Sequence, residues 1–191
     1  MHDKLLKFAQ SIHDFNSAEI EMIRHYFEPV SYPKNTVIEE EGEVPKYLYY
    51  IVSGYMRLFH YNRNGDQVTT HINCPPGFFT SYSNFINQKK SEENVECITE
   101  CELLRISKEN LEAFTKLSSS MKNFSIHVFQ ESIIYHEERA KELSTLSAEQ
   151  RYLEFLKTYP DIIQNVPVQY IASFLGMKPE SLSRIRRKLI N

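Results

Sequence analysis

The sequence predicts an α+β protein in which an antiparallel β-structure is followed by a series of helices. Between residues 29 and 106, short runs of β-forming residues are separated by turn signals such as Glu41-Gly42-Glu43 and Ser53-Gly54. From Lys108 onward the apolar residues recur with a helical period. Regularly spaced short strands of this kind favour a barrel, a roll or a sandwich.

Two short helices are predicted before the β-structure, in residues 1–27. The pair Ser17 and Glu19 is typical of a helix N-terminus, with Ser17 as the cap. Six strands are predicted to follow, at residues 36–38, 47–52, 55–60, 67–72, 95–98 and 102–106.

A long helix is predicted over residues 108–143, because its apolar residues alternate spacings of three and four. A helix packed against its symmetry mate shows such a seam. The alternative is one helix lying on the β-structure of its own chain. The predicted dimer residues are Phe114, Leu117, Met121, Phe124 and Val128. A hinge at residues 143–147 and a further helix at 148–159, ended by Pro160, are expected next.

Residues 168–191 predict a helix-turn-helix. A first helix is broken by Gly176, and a second begins at Pro179, a residue favoured in the first turn of a helix. Leu182, Ile185 and Leu189 are expected to face the core. Five Lys or Arg against one Glu lie between residues 178 and 188, which makes the opposite face basic. Such a face fits a DNA major groove, although a helical hairpin with a solvated charged face has the same period.

Specific DNA contacts follow from the side chains on that face. Arg184 suits forked hydrogen bonds to guanine and Glu180 suits cytosine, while the other basic residues suit phosphates. The residues expected to contact DNA are Lys178, Glu180, Ser181, Ser183, Arg184, Arg187 and Lys188.

Charge and cysteine usage agree with this division of the chain. The net charge of −3 combines +3 from residue 144 onward with −6 in residues 1–143, so the C-terminal part is the expected partner of a polyanion. Three cysteines without a CxxC pair, and the lack of an apolar leader or span, predict a reduced cytoplasmic protein without a membrane partner.

The order of these parts resembles the Crp-Fnr transcription regulators, and the resemblance covers nearly the whole chain. Pro76-Gly77-Phe78-Phe79 is similar to the start of the family's phosphate-binding cassette, residues 101–106 to the strand that closes its roll, and residues 179–185 to its recognition helix. The resemblance implies a cyclic-nucleotide-binding-like β-roll as effector domain at 1–110 and a dimerisation helix at 111–143. It also implies a winged-helix-like DNA-binding domain at 144–191, with the wing short or missing.

The cassette departs from the family pattern where nucleotide-binding members hold the ribose and the phosphate. Thr80-Ser81 replaces a Gly-Glu pair, and Ser91-Glu92-Glu93 stands where an arginine would pair with the cyclic phosphate. Two acidic side chains without a guanidinium repel a phosphate, so tight binding of cyclic AMP is not expected. The residues expected to line a pocket for an unknown effector, or for none, are Gly77, Phe78, Phe79, Thr80, Ser81, Ser91 and Glu92.

The resemblance therefore implies a bacterial homodimeric transcription regulator that binds double-stranded DNA, with RNA polymerase as a further partner. No catalytic residue, metal or cofactor is expected. An iron–sulfur sensor is excluded because residues 1–73 contain no cysteine. His60, His71, Cys74 and Cys97 are isolated candidates for haem ligands, and buried inert thiols are the preferred interpretation of Cys97 and Cys101.

Two other functional classes remain open from the residues alone. One is a β-roll enzyme with a metal held by His60 and His71 together with Glu96 or His127, although the closely paired His-x-His and the HExxH motif are absent. The other is a dimeric module whose C-terminal helices bind protein instead of DNA.

Overall fold

In the computed structural model, which describes residues 1–190, the β-structure is a roll of two four-stranded antiparallel sheets. The strands run in the orders β1-β8-β3-β6 and β2-β7-β4-β5. They are β1 Glu28–Tyr32, β2 Thr36–Glu39, β3 Tyr47–Ser53, β4 Met56–Tyr61, β5 Gln67–Asn73, β6 Gly77–Phe79, β7 Asn94–Cys97 and β8 Cys101–Ser107. The six predicted strands are confirmed, whereas β1 and β6 were not predicted.

Strand β3 separates two layers of core because it is buried on both faces. Tyr49 and Ile51 point into the interior of the roll, and Leu48, Tyr50 and Val52 point to the opposite side, where helices cover them. Side chains alternate between the two faces of a strand, so a continuous apolar run is what such a position requires.

Two helices, α1 His2–Gln10 and α2 Ser17–Tyr26, cover that second side. Both were predicted, but the cap of α2 is Asn16 and not Ser17. The Asn16 side chain accepts from the Glu19 N–H at 3.0 Å, and the Glu19 carboxylate accepts from the Asn16 N–H at 3.0 Å. This capping box satisfies two backbone donors at once, so it places the helix start one residue earlier than a lone serine would.

A short helix, α3 Tyr82–Asn87, was not predicted. The predicted long helix is in fact two helices, α4 Lys108–Leu117 and α5 Ser119–Thr145. Ser118 has extended backbone, and its hydroxyl accepts from the Met121 N–H at 3.2 Å. The hydrogen bond caps α5 and turns the chain. Residues 111–118 therefore lie outside α5.

The predicted dimer seam packs mainly on the chain's own roll. Phe114, Met121 and Phe124 are buried in one cluster with α1 and β3, and Val128 packs against its edge. Leu117 is exposed, at the junction of α4 and α5. The assignment of this seam to a symmetry mate is wrong for the buried residues, because helical periodicity identifies an apolar face but not the surface that covers it.

Four short helices complete the fold: α6 Ala148–Thr158, α7 Pro160–Asn165, α8 Val168–Phe174 and α9 Pro179–Ile190. Pro160 ends α6 as predicted and also begins α7, which was not predicted. Leu182 and Ile185 are buried as expected, but Leu189 is 46% exposed, so its assignment to the core is wrong.

The turn between α8 and α9 has the geometry of a helix-turn-helix. Gly176 adopts φ +67°, the Met177 N–H donates to the Ala172 carbonyl and the Gly176 N–H donates to the Ser173 carbonyl, both at 3.0 Å. These two bonds form the Schellman motif that ends a helix at a glycine. Ala172 is fully buried where α8 and α9 pack.

Within residues 1–190, no helix is both long and apolar enough to cross a bilayer.

Candidate DNA interface and effector cavity

Helix α9 presents a basic face to solvent. Lys178, Glu180, Ser183, Arg184, Arg187 and Lys188 are exposed, and Ser181 is half-buried. On the opposite face, Leu182 and Ile185 pack with Tyr152, Ile171 and Ala172. The helix is therefore anchored by its apolar side while its charged side is free to contact another molecule.

The exposed side chains of α9 make weak bonds along the helix. The Arg184 Nη2 donates to the Ser181 Oγ at 3.3 Å, and the Arg187 Nε donates to the Ser183 carbonyl at 3.4 Å. Exposed hydrogen bonds of this length are weak and are easily replaced by bonds to other acceptors, so both arginine side chains can bind another molecule.

The helix-turn-helix is attached to the rest of the chain through α8. The Thr69 N–H on β5 donates to the Ser173 Oγ at 2.9 Å, and Ile72 and Ile98 of the roll belong to the same apolar cluster as α6 to α9. On the other side, Arg139 of α5 donates to the Phe174 carbonyl and lies over its ring, 4.0 Å from the centroid. Helix α8 thus contacts both the roll and α5.

A cavity of about 790 Å³ lies between the roll and α5. Five of the predicted pocket residues line it: Gly77, Phe78, Phe79, Thr80 and Ser81. Its other walls come mainly from β5, the start of α3 and one side of α5 between His127 and His136, with further residues from α1, β3, β4, α7 and the end of α6.

Ser91 and Glu92 do not line the cavity, which corrects the predicted pocket. Ser91 is buried, and its hydroxyl donates to the Glu93 carbonyl at 2.8 Å, so it holds the loop before β7 together. Glu92 is exposed and points outward. The residue that reaches the cavity is its neighbour Glu93. The chain bends at residues 92 and 93, where the Glu93 N–H donates to the Ser91 Oγ at 3.0 Å.

Glu93 is held by two hydroxyl groups. Its Oε1 accepts from the Thr70 Oγ1 at 2.7 Å and its Oε2 accepts from the Ser81 Oγ at 3.4 Å. Glu131, on α5, is the second carboxylate of the lining, and no Lys or Arg belongs to it among the described residues. The cavity is therefore acidic, and of the two neighbouring acids in the cassette, Glu92 and Glu93, only Glu93 lines it.

His71 lines the cavity and lies among aromatic rings. Its ring centroid is 4.7 Å from that of Tyr135 and 5.3 Å from that of Phe79. Burial, reinforced by the nearby His136 and Arg139, lowers the pKa of His71 to about 3. The imidazole is consequently neutral at physiological pH. His71, His127, Tyr135 and His136 were not predicted to share this cavity, since no motif joins them in sequence.

The alternative metal site has no support in this geometry. No group of three or more His, Cys, Asp or Glu side chains is arranged to hold a metal ion in the part of the chain that the structure describes. Glu96, one of the proposed ligands, is instead paired with Arg57, whose Nε donates to the Glu96 Oε2 at 2.6 Å. Cys97 and Cys101 are fully buried.

Comparison with known proteins shows which fold this chain has. Residues 29–117 match the family model of the cyclic nucleotide-binding domain. FixK2 from Bradyrhizobium japonicum is similar in structure, with a TM-score of 0.72 and 18% sequence identity over 85% of this chain and 84% of that one. The chain has the fold of a Crp-Fnr regulator.

Two further solved structures agree with this fold. The c-di-GMP responsive global regulator CLP from Xanthomonas campestris gives a TM-score of 0.67 and 21% identity, over 91% of each chain. A candidate Crp/Fnr transcriptional regulator from Eubacterium rectale gives 0.68 and 19%, over 92% of this chain and 83% of that one. No curated protein matches the sequence closely. The likeness of this chain to these proteins is one of fold.

Proposed function

We propose that the protein is a homodimeric regulator of transcription that binds specific DNA sequences through α9. The observation that carries the proposal is the exposed basic face of α9, anchored from behind by the buried Leu182 and Ile185. A helix presented in this way is what major-groove recognition requires.

The proposal divides the face between base and phosphate contacts. Arg184, in the middle of the face, suits forked hydrogen bonds to guanine, and Glu180 suits the amino group of cytosine. The basic residues Lys178, Arg187 and Lys188 neutralise phosphates, and the short hydroxyls of Ser181 and Ser183 reach either kind of acceptor. The roll carries the negative charge of the chain, so the DNA is expected to lie against the C-terminal helices alone.

The proposed dimer uses a different face of α5 from the one the sequence predicted. Three isoleucines on this helix are exposed, namely Ile126 at 41%, Ile133 at 59% and Ile134 at 47%. Ile126 and Ile133 are two helical turns apart and form one apolar stripe, and Ile134 lies about 100° round the helix from Ile133, at the edge of that stripe. In the proposed dimer two such stripes pair, and the two α9 helices contact successive turns of a major groove, about 34 Å apart.

Because the proposed partner is DNA, the proposal also covers where the protein acts and how it affects transcription. A bacterial regulator of this kind acts in the cytoplasm and changes transcription through its position relative to RNA polymerase. The cavity between the roll and α5 is proposed to receive the effector. An effector acts only if it binds one arrangement of the α9 helices better than another.

The test is binding of the purified full chain to fragments of its own genome, including its upstream region, at two salt concentrations and with and without cyclic AMP. We expect selective binding that weakens steeply with salt and ignores cyclic AMP. Binding that requires cyclic AMP would contradict the inference about the cassette. A lack of selective binding under every condition would contradict the proposed function.

A further inference from the structure

We propose that the cavity between the roll and α5 binds a small primary amine with an apolar or aromatic body, its ammonium group held at Glu93. If the proposed function holds, this amine is the effector. The inference concerns a chemical class opposite in charge to a cyclic nucleotide.

The walls of the cavity fit an apolar body. Its volume of about 790 Å³ lies within the range of small-molecule sites, roughly 300–1,000 Å³. Aliphatic side chains such as Leu58 and Ile72 line one wall. Aromatic rings line the others, and the rings of Tyr82 and Phe129 face each other across α3 and α5 with centroids 5.1 Å apart.

The charges of the lining favour a cation. Glu93 and Glu131 are acidic, and the lining residues include no Lys or Arg. Lys89 and Lys90 are exposed on the turn after α3 and do not line the cavity. Arg139 donates to the Phe174 carbonyl and lies over its ring, and it does not line the cavity. An anion inside this cavity would therefore meet carboxylates with no compensating cation, and electrostatic effects are stronger there than in bulk water.

The Glu93 carboxylate is oriented so that it can accept further hydrogen bonds. The hydroxyls of Thr70 and Ser81 each occupy one of its oxygens and fix the orientation of the carboxylate. A carboxylate has about four acceptor positions, so two remain for the N–H groups of an ammonium ion. The resulting bonds would be charge-assisted, the strongest class available here.

His71 is a second polar group of the cavity lining. Neither of its ring nitrogens has a hydrogen-bond partner among residues 1–190, although the side chain lines the cavity between Phe79 and Tyr135. A neutral imidazole offers one donor and one acceptor. It would bind a polar group on the ligand body without opposing a positive charge.

The experiment is calorimetric titration of the full chain, without DNA, at pH 8, where an imidazole with the ordinary pKa of about 6.5 is neutral. The probes are 2-phenylethylamine and hexylamine, the carboxylate 3-phenylpropanoate, and cyclic AMP. We expect saturable binding of an amine and binding of both anions that is at least roughly tenfold weaker. Equal or tighter binding of either anion, or no saturable binding of either amine, would overturn the inference.

Two matched variants locate the ammonium group. Glu93→Gln keeps the size of the side chain, and its amide can still bond both hydroxyls if one of them accepts from the NH2 group. It should weaken amine binding roughly tenfold or more. Glu92→Gln removes the same charge one residue away, outside the cavity, and should leave amine binding unchanged. Wild-type affinity in Glu93→Gln, or an equal loss in both variants, would overturn the assignment to Glu93.

The amine-binding and DNA-binding experiments test the two proposals separately. A chain that binds its DNA selectively but binds no amine overturns the inference and leaves the regulator proposal intact. A chain that binds an amine through Glu93 but binds no DNA supports the cavity assignment and contradicts the regulator proposal.

Discussion

The guanidinium carbon of Arg57 lies 3.5 Å from the ring centre of Tyr170, and this contact joins the roll to the first helix of the helix-turn-helix. Arg57 is 1% exposed and also lies over the Phe59 ring at 4.1 Å. Its charge is balanced by Glu96 within the roll. Tyr170 of α8 therefore lies over the guanidinium of a buried ion pair.

Tyr170→Ala is expected to loosen α8 from the roll while the roll stays folded. The change removes a cation–π contact worth about 0.5–2 kcal/mol, and the ion pair of Arg57 with Glu96 remains. The measurement is hydrogen exchange at the Thr69 amide, which donates to the Ser173 Oγ only while α8 is docked. Gln169→Ala, an exposed neighbour on α8, is the control. Unchanged protection of Thr69 in Tyr170→Ala would show that docking does not depend on this ring.

Sequence patterns predict helices and strands better than they predict which surfaces pack against them. Alternation and turn signals place β3 to β5 and β8, but β1 begins at Glu28 with Pro29 second, and proline weakens a strand pattern. The seam at Phe114, Met121 and Phe124 is visible as a period, yet only the fold decides whether a roll or a partner covers it. The cavity illustrates the same limit, because the bend at residues 92 and 93 leaves Glu92 exposed and brings Glu93 into the lining, and no sequence pattern marks this difference.

Glu39 is expected to make the stability of the roll fall as the pH rises. Burial raises the pKa of Glu39 from 4.5 to about 7, while its Oε2 accepts from the Thr80 Oγ1 and its Oε1 has no partner among the described residues. Between these two pH values the folded chain binds a proton that the unfolded chain releases. The free energy of unfolding therefore decreases by up to about 3 kcal/mol as the pH rises through this window.

Glu39→Gln is the test, because it keeps an acceptor for Thr80 and removes the charge. Denaturant unfolding should find the variant about 2–3 kcal/mol more stable than the wild type at pH 8 and nearly equal to it at pH 4.5. Glu40→Gln, an exposed neighbour, should follow the wild-type curve. If the free energies of unfolding of Glu39→Gln and the wild type changed with pH in the same way, the raised pKa of Glu39 would be contradicted.

Arg184→Ala is expected to reduce DNA affinity by about 1–3 kcal/mol and to relax specificity at one base pair. The physical reason is the loss of two parallel hydrogen bonds to a guanine, which no phosphate contact replaces. Fluorescence anisotropy with single-base-pair variants of a selected site measures both effects. Arg63→Ala removes the same charge from an exposed turn of the roll and should change neither. An equal loss on every sequence would reassign Arg184 to a phosphate.

Ile133→Glu is expected to dissociate the proposed dimer. At 59% exposure, Ile133 is the most exposed residue of the isoleucine stripe on α5. A carboxylate there would be buried against its own symmetry copy, and we expect dimerisation to weaken roughly a hundredfold or more. Sedimentation velocity measures the association, and Val37→Glu, an exposed apolar site on β2, controls for the added charge. Loss of the dimer should also abolish tight operator binding, because one α9 helix then contacts only one half-site. A dimer that survives Ile133→Glu would move the interface away from this stripe.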